Sequence, residues 1–405
     1  MLDINKIRDN KEEVGRSLSK RTTDFDLDEI LSIDDKRKEL LSKVELLKAK
    51  RNKESRQKPT PEAILELKKL GDTIKTLDDQ VRQTELSLKE KLSVLPNIVA
   101  DDVPEGNKEN NKVIKVFGKK PEFLGKNHVQ LAQDLNLIDY ERGAKMSGSG
   151  FWVYKDRGAV LEWALLNYFI DFHRKNKYVF LFPPYLLTER SAFTSGHLPK
   201  FRDDLYWTQD GLCLDGTSEM MIGNYHRDEI LEKLPLKYFA YSACFRKEAG
   251  SYRKEERGMV RGHQFNKIEM FQFTHPEKSW EAFEELRKNA EKLIEGLGLH
   301  YQTVLLAVQD ISFAMAKTID LEVWIPSMGI YKEVSSISNA LDYQARRGNV
   351  KFRESGKNDF VHTLNASGLA TSRLIPAILE QFQQKDGSVK VPRALHKYTG
   401  FKKIK

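Results

Sequence analysis

The residues whose types and spacing could do chemistry concentrate between Cys244 and Glu269. Phe245, Arg246, Lys247 and Glu248 are followed, after a polar loop, by Arg261, His263, Phe265, Lys267 and Glu269. Read as a strand, the second run puts all five of its residues on one face, because side chains alternate along extended backbone. Cys244, Arg246 and Glu248 share a face of the first run for the same reason. The loop 249–258 between them holds Gly250, Ser251 and three basic residues. Such a hairpin offers two arginines, two carboxylates and an aromatic ring on one surface. Guanidinium groups grip phosphate oxygens bidentately and an aromatic face stacks a base. A carboxylate at the far end can hold an amine, so the parts suit a nucleotide and an amino acid side by side. The alternative is a charge-laced surface with a purely structural role.

Other elements must position this hairpin. The chain has 405 residues, enough for two domains or one large one, and a formal net charge of +8. That excess permits a polyanionic partner without requiring one. Ile30, Ile33, Arg37, Leu40, Val44, Leu47 and Arg51 are spaced alternately three and four apart. The pattern resumes beyond Pro59 and Pro61 as Leu67, Leu70, Ile74, Leu77, Val81, Thr84 and Leu88. Two such seams joined by a proline-marked turn predict an antiparallel coiled-coil arm over about 27–95. Lys48, Lys50, Arg51, Lys53, Arg56 and Lys58 crowd its tip. They suit a phosphate backbone or, with equal weight, a solvated basic face. Residues 101–122 are polar and turn-rich and read as a linker.

From 123 to the C-terminus, short β-like runs alternate irregularly with helices expected at 159–175, 276–295 and 369–384. With no G-x-G-x-x-G and no Walker loop, this predicts an α+β domain. No apolar run reaches the ~18 residues of a membrane span, and the charged start is unlike a signal peptide. An intracellular protein is expected. Cys213 and Cys244 are too few for a disulfide framework and wrongly spaced for a zinc ribbon. They are expected to be core thiols. The five tryptophans, 152, 163, 207, 280 and 324, are read as packing.

The hairpin resembles motif 2 of the class II aminoacyl-tRNA synthetases, and specifically that of the seryl-tRNA synthetase family. Phe182, Pro183, Pro184 and Tyr185, with Gly196 to Phe201, resemble motif 1 and the segment after it. Thr217, Ser218 and Glu219 resemble the serine loop. Asp320 to Pro326 and Tyr331 to Asn339 resemble the ATP and metal strands, and His362 to Arg373 resembles motif 3. The arm and linker match too, so the resemblance covers essentially the whole chain. It implies an antiparallel sheet core with flanking helices behind an N-terminal tRNA-binding domain (1–100), with the catalytic domain at 123–405.

The resemblance implies a ligase that joins serine and ATP into seryl-adenylate, then moves the seryl group to the 3′ end of tRNA(Ser), and of tRNA(Sec) as well. By motif position, Arg246 holds the α-phosphate, Arg373 the γ-phosphate and Arg261 the same polyphosphate. Glu248 accepts from the adenine amine and Phe265 stacks the ring, with Lys247, Val334 and Ser335 in the ATP site. Glu333 and Ser336 ligate Mg²⁺, although simple alternation pairs Glu333 with Ser335, so Ser336 requires a bulge. Thr217, Ser218, Glu219, Glu269 and Ser367 take serine. The arm holds the long variable arm of the tRNA, and the enzyme is a cytoplasmic homodimer without zinc.

Some positions depart from the family pattern. Ser218 stands for a common alanine, His197 for glutamine, and residues 179–181 lack a frequent glutamate. The run 307–313 loses glycines, and Pro376 predicts a kink in the motif 3 helix that would alter the aim of Arg373. His263 is expected to orient a neighbour. A ligase acting on a carrier protein and a non-catalytic relative are the alternatives. The long arm counts against the first. Arg246, Glu248, Glu269, Glu333 and Arg373 together count against the second.

Overall fold

The structure, a computed structural model, describes residues 1–56, 60–121, 125–248 and 258–405. It divides into two compact units, Met1–Ile98 and Val99–Lys405. No helix among the described residues is long and apolar enough to cross a membrane.

The first unit is helical: α1 (Ile4–Asp9), α2 (Lys11–Ser19), α3 (Leu27–Glu54) and α4 (Pro61–Ser93). Both long helices are capped by their sequence. Asp26 accepts from the Glu29 amide, and Thr60 accepts from that of Ala63 with Pro61 as the first helical residue. Glu29 pairs with Lys91 and Lys48 with Asp78, a reversed order that makes α3 and α4 antiparallel. Leu40, Val44 and Val81 fill the seam. At ~1.5 Å per residue, the 28 residues of α3 run ~42 Å. One buried residue beside the seam escapes the heptad reading. Asp34 is fully buried and holds Arg37 at 2.6 Å, Arg8 at 2.9 Å and Lys38 at 3.0 Å. Burial works against its charge, but hydrogen bonds from these three cations prevail and bring its carboxyl down to about 2.

The second unit is built on an eight-stranded sheet. Its strands are β1 (Lys112–Phe117), β2 (Val179–Leu181), β3 (Leu236–Phe245), β4 (Gln264–Thr274), β5 (Tyr301–Leu305), β6 (Lys317–Ile325), β7 (Ile330–Leu341) and β8 (His362–Ala370). The spatial order is β1-β5-β6-β7-β8-β4-β3-β2, antiparallel throughout except for the β2–β3 pair. Its helices include α5 (Arg157–Lys175), α6 (Ser218–Ile222), α7 (Ser279–Leu297), α8 (Tyr343–Gly348) and α9 (Thr371–Gln381). Residues 101–122, read as a linker, include β1, which pairs with β5 at the sheet edge.

Strand alternation divides the labour of this sheet. Ile268, Met270, Ile319, Leu321, Val323, Ile337, Leu364 and Ala366 face one way and pack with α5, α7 and α9. Lys267, Glu269, Asp320, Glu322, Ser336, Ser338, Asn365 and Ser367 face the other way, toward a cavity. Helix α9 continues from Thr371 to Gln381 with Pro376 inside it, where one i→i−4 backbone bond is lost. One reading needs correction. Trp163 and Trp280 are 55% and 41% exposed, so they are not simply packing residues.

Candidate active site

Arg246 follows directly on β3 and is fixed from three sides. Its amide donates to the His263 carbonyl at 3.0 Å, its own carbonyl accepts from His263 Nδ1 at 3.0 Å, and its Nε donates to the Gly216 carbonyl at 3.1 Å. His263 therefore orients a neighbour, as expected. The Arg246 guanidinium lies 5.2 Å from the Phe265 ring centroid. Glu248 turns the chain in the left-handed region (φ 52°) and pairs with Arg261 at 2.5 Å. Arg261 precedes β4 and does not extend it. Arg373, in the first turn of α9, donates from Nε to the Val260 carbonyl at 3.2 Å and from NH1 to the Glu333 carbonyl at 2.7 Å.

The bulge that Ser336 requires is present. Leu321 lies opposite Ser335 and Glu322 opposite Glu333, so Val334 is the extra residue in β7. Glu333 and Ser336 consequently share a face with Asp320 and Glu322. Ser335 is thereby turned away. It is buried and donates to the Ser367 carbonyl at 2.5 Å, which removes it from the cavity wall. Burial and then the Glu333 charge push the Asp320 carboxyl well above its ordinary range. Among the described residues, no donor reaches its Oδ1.

A cavity of about 400 Å³ opens beside Arg246 and is lined by Thr217, Glu219, Lys267, Glu269, Asn365 and Ser367 among others. Lys267 Nζ donates to Thr217 Oγ1 at 2.6 Å and pairs with Glu269 at 2.5 Å. Ser367 Oγ donates to Glu269 at 3.3 Å. Asn365 Nδ2 bridges Glu219 and Glu269 at 3.3 and 3.1 Å, and Gln344 Nε2 donates to Glu219 at 2.6 Å. Burial, then the charge on Glu269, pushes the Glu219 carboxyl up to about 7. His197 also lines the cavity, and burial beside Arg246, Lys267 and Arg347 brings it down to about 3, so its ring is neutral. A narrow cleft lined by Arg261, Phe265, Val334 and Arg373 adjoins the cavity.

The structure thus brings together Arg246, Glu248, Arg261, Phe265, Thr217, Glu219, Glu269, Glu333, Val334, Ser336, Ser367 and Arg373. It leaves out three further residues. Lys247 is exposed, Ser335 is buried as described, and Ser218 is buried with its hydroxyl donating to Ser242 at 2.7 Å. Lys58 and residues 249–257, Gly250 and Ser251 included, lie outside the described residues. At the arm tip Lys48 pairs with Asp78, and Lys50 lies 3.8 Å from Glu54. Lys53 and Arg56 are exposed and Arg51 is half-buried. Cys213 and Cys244 are free and buried, as expected. Sequence reasoning gave no role to Asn365, Gln344, Glu322 or Lys267. Asn365 was within reach of the two-residue period that places Ser367. Gln344 was not, since it arrives from α8 through tertiary packing.

The comparisons with known proteins agree with this geometry. Residues 1–99 match the seryl-tRNA synthetase N-terminal domain. Residues 201–382 match the tRNA synthetase class II core domain (G, H, P, S and T). The chain is 51% identical to serine--tRNA ligase 2 of Clostridium acetobutylicum, with each chain covered completely. It is 35% identical to the seryl-tRNA synthetase of Pyrococcus horikoshii, whose structure was solved with ATP. That overlay has a TM-score of 0.89 and covers 100% of this chain and 99% of the other. It is 31% identical to the cytoplasmic serine-tRNA ligase of Naegleria fowleri solved with AMP, with a TM-score of 0.88 over the same shares of each chain.

Proposed function

The chain belongs to the seryl-tRNA synthetase family, and on that premise we propose that it is a serine–tRNA ligase acting through seryl-adenylate. The observation that carries the reading is the cavity in which buried Glu219 and Glu269 stand beside Arg246. In the first step a serine carboxylate oxygen attacks the α-phosphorus of ATP, and the bond to the β-phosphate oxygen breaks, releasing diphosphate. Arg246 neutralises the charge that builds on the α-phosphate, with Arg373 and Arg261 on the rest of the polyphosphate. Phe265 stacks the adenine and Glu248 accepts from its amine. No general base is required, because the attacking carboxylate is already ionised.

Glu219, Glu269 and Thr217 receive the ammonium, and Ser367 with Glu269 receives the hydroxyl. Alanine would leave buried partners unpaired at a cost of ~1–3 kcal/mol each. Glu333 and Ser336, with Asp320 beside them, offer only oxygen donors on one face, the donor set of a hard cation. Glu333 and Ser336 would hold Mg²⁺, which when bound would supply positive charge to offset that of the polyphosphate. In the second step a terminal hydroxyl of the tRNA attacks the seryl carbonyl carbon, AMP leaves, and the hydroxyl proton passes to a phosphate oxygen.

We assign tRNA binding to the N-terminal domain. Lys48, Lys50, Arg51, Lys53 and Arg56 meet the backbone of the long variable arm, of tRNA(Ser) and of tRNA(Sec). A cytoplasmic homodimer completes the reading. Its support is the exposed apolar side chains of Val179, Phe180 and Phe182 at and just beyond edge strand β2, with Val160 and Trp163 exposed on α5. The test is diphosphate exchange with Mg-ATP and single amino acids. Exchange with serine alone, abolished by Arg246→Ala, is expected, and exchange with no amino acid at all would refute the reading.

A further inference from the structure

Helix α5 carries two polar side chains on a buried stripe. Glu162, Leu166, Phe169 and His173 succeed one another at four, three and four residues, the spacing of a single helix face, and all four are buried. Glu162 Oε1 accepts from Asn266 Nδ2 at 2.7 Å and from the Thr371 hydroxyl at 2.5 Å. The Thr371 hydroxyl also lies 3.1 Å from the Asn266 carbonyl, but its one proton goes to the nearer carboxylate. Three turns further on, His173 Nε2 lies 2.9 Å from the Gly368 carbonyl. A carbonyl only accepts, so Nε2 carries the proton. Burial holds this imidazole neutral by bringing it down to about 4.

Gly368 and Thr371 bracket the junction where β8 becomes α9. Ser367, bonded to Glu269, immediately precedes that junction, and Arg373 lies two residues beyond it. Glycine is needed at the first anchor, because a Cβ at 368 would lie 2.4 Å from His173 Nε2. Asn266, the other donor to Glu162, lies between Phe265 and Lys267 on β4. One carboxylate oxygen therefore ties the strand bearing Phe265 to the helix bearing Arg373. Neither Glu162 nor His173 lines the cavity.

We propose that Glu162 and His173 are positioning residues that fix the two ends of the 368–371 junction, and through it the aim of Arg373 and of Ser367. The proposal rests on the ATP and serine roles assigned above. It separates the two anchors by substrate. Loosening the Glu162 end releases the first turn of α9 and affects ATP. Loosening the His173 end moves the backbone next to Ser367 and affects serine. A displacement on the order of 1 Å at a reacting site costs up to about a hundredfold. Partial loosening is therefore expected to cost about tenfold.

The experiment uses the full chain. ATP affinity is read by calorimetric titration without serine, and serine KM by diphosphate exchange. Thr371→Val, which removes the hydroxyl but keeps the shape, is expected to weaken ATP about tenfold and leave serine KM within twofold; Thr371→Ser restores ATP binding. His173→Phe is expected to raise serine KM about tenfold with ATP affinity within twofold, partly rescued by His173→Gln, whose amide can still donate. If His173→Phe does not fold, the Thr371 pair carries the test. Variants that only lower the melting temperature, with both constants within twofold, overturn the proposal, as does a parallel rise of both constants in each variant. A wild-type protein that binds ATP but shows no exchange with serine refutes the serine reading, and the ATP titrations still judge the Glu162 anchor.

Discussion

Replacing Glu219 by glutamine should stabilise the free protein while it impairs serine binding. The carboxyl is pushed from its ordinary 4.5 up to about 7, first by burial and then by the charge on Glu269. A raised carboxylate costs the fold nothing below its unfolded pKa, and the stability is lost as pH rises through the folded value. At pH 8 that loss is about 3 kcal/mol, at ~1.4 kcal/mol for each pH unit between the two values. An amide carries no charge and avoids the loss. Its own cost is one misplaced donor. With the amide oxygen toward Gln344, the NH₂ group faces Asn365 Nδ2, and the weaker bond of 3.3 Å is sacrificed at about 1 kcal/mol. The net gain is about 2 kcal/mol at pH 8, falling to nothing or slightly negative near pH 5. Thermal melting of wild type and Glu219→Gln at pH 5 and pH 8 reads the difference, and serine titration without ATP reads the loss of affinity. Serine should bind at least tenfold more weakly to the variant, because its ammonium loses an ionised partner. A stability difference that does not grow with pH would refute the argument from burial. Unchanged serine affinity would remove Glu219 from the pocket.

Three other outcomes are expected from the same geometry. Asp34→Asn should destabilise the helical unit by about 1–3 kcal/mol, because Arg8, Arg37 and Lys38 lose a buried anion. In the wild type, whose carboxyl is lowered to about 2, that stability is present above the ordinary 3.8 and lost as pH falls through 2; urea unfolding of the isolated N-terminal segment against pH checks both points. Deleting residues 26–95 should leave serine-dependent exchange intact and abolish tRNA charging, and wild-type tRNA affinity should fall steeply with salt as phosphate contacts release counterions; normal charging by the deletion variant would remove the arm from recognition. Ser336→Ala should raise the Mg²⁺ concentration needed for half-maximal exchange, whereas Ser335→Ala should not, since its hydroxyl faces the Ser367 carbonyl.

Much of this was legible because two periodicities carry it. The spacing of three and four residues marks α3 and α4, and the two-residue period marks which side of β4 faces the cavity. Boundaries were read less well. Helix α9 was expected from residue 369 but begins at Thr371, because Leu369 and Ala370 still extend β8. The linker reading of 101–122 missed β1. Its hydrogen-bonding partner, β5, lies some 190 residues away and none of its own residues is buried, so it leaves little local pattern. Asp34 escaped because an acidic residue beside a heptad seam looks like a solvated position until Arg8, from another helix, is seen to reach it. Gln344 and Glu162 escaped for the same reason.

A strict two-residue period cannot by itself build this site. It places Lys267 and Glu269 on one strand and Asn365 and Ser367 on its neighbour, and those four already line the part of the cavity proposed to take serine. On β7 the same rule would put Ser335 beside Glu333 and send Ser336 into the helical layer. One added residue, Val334, reverses this. It delivers Ser336 to the side bearing Asp320 and Glu322 and turns Ser335 toward the Ser367 backbone. The bulge therefore joins the two halves of the pocket: its polar by-product, the Ser335 hydroxyl, holds the carbonyl of Ser367, a residue proposed above to take serine. Deleting Val334 would undo both effects together, whereas Ser336→Ala and Ser335→Ala each undo one.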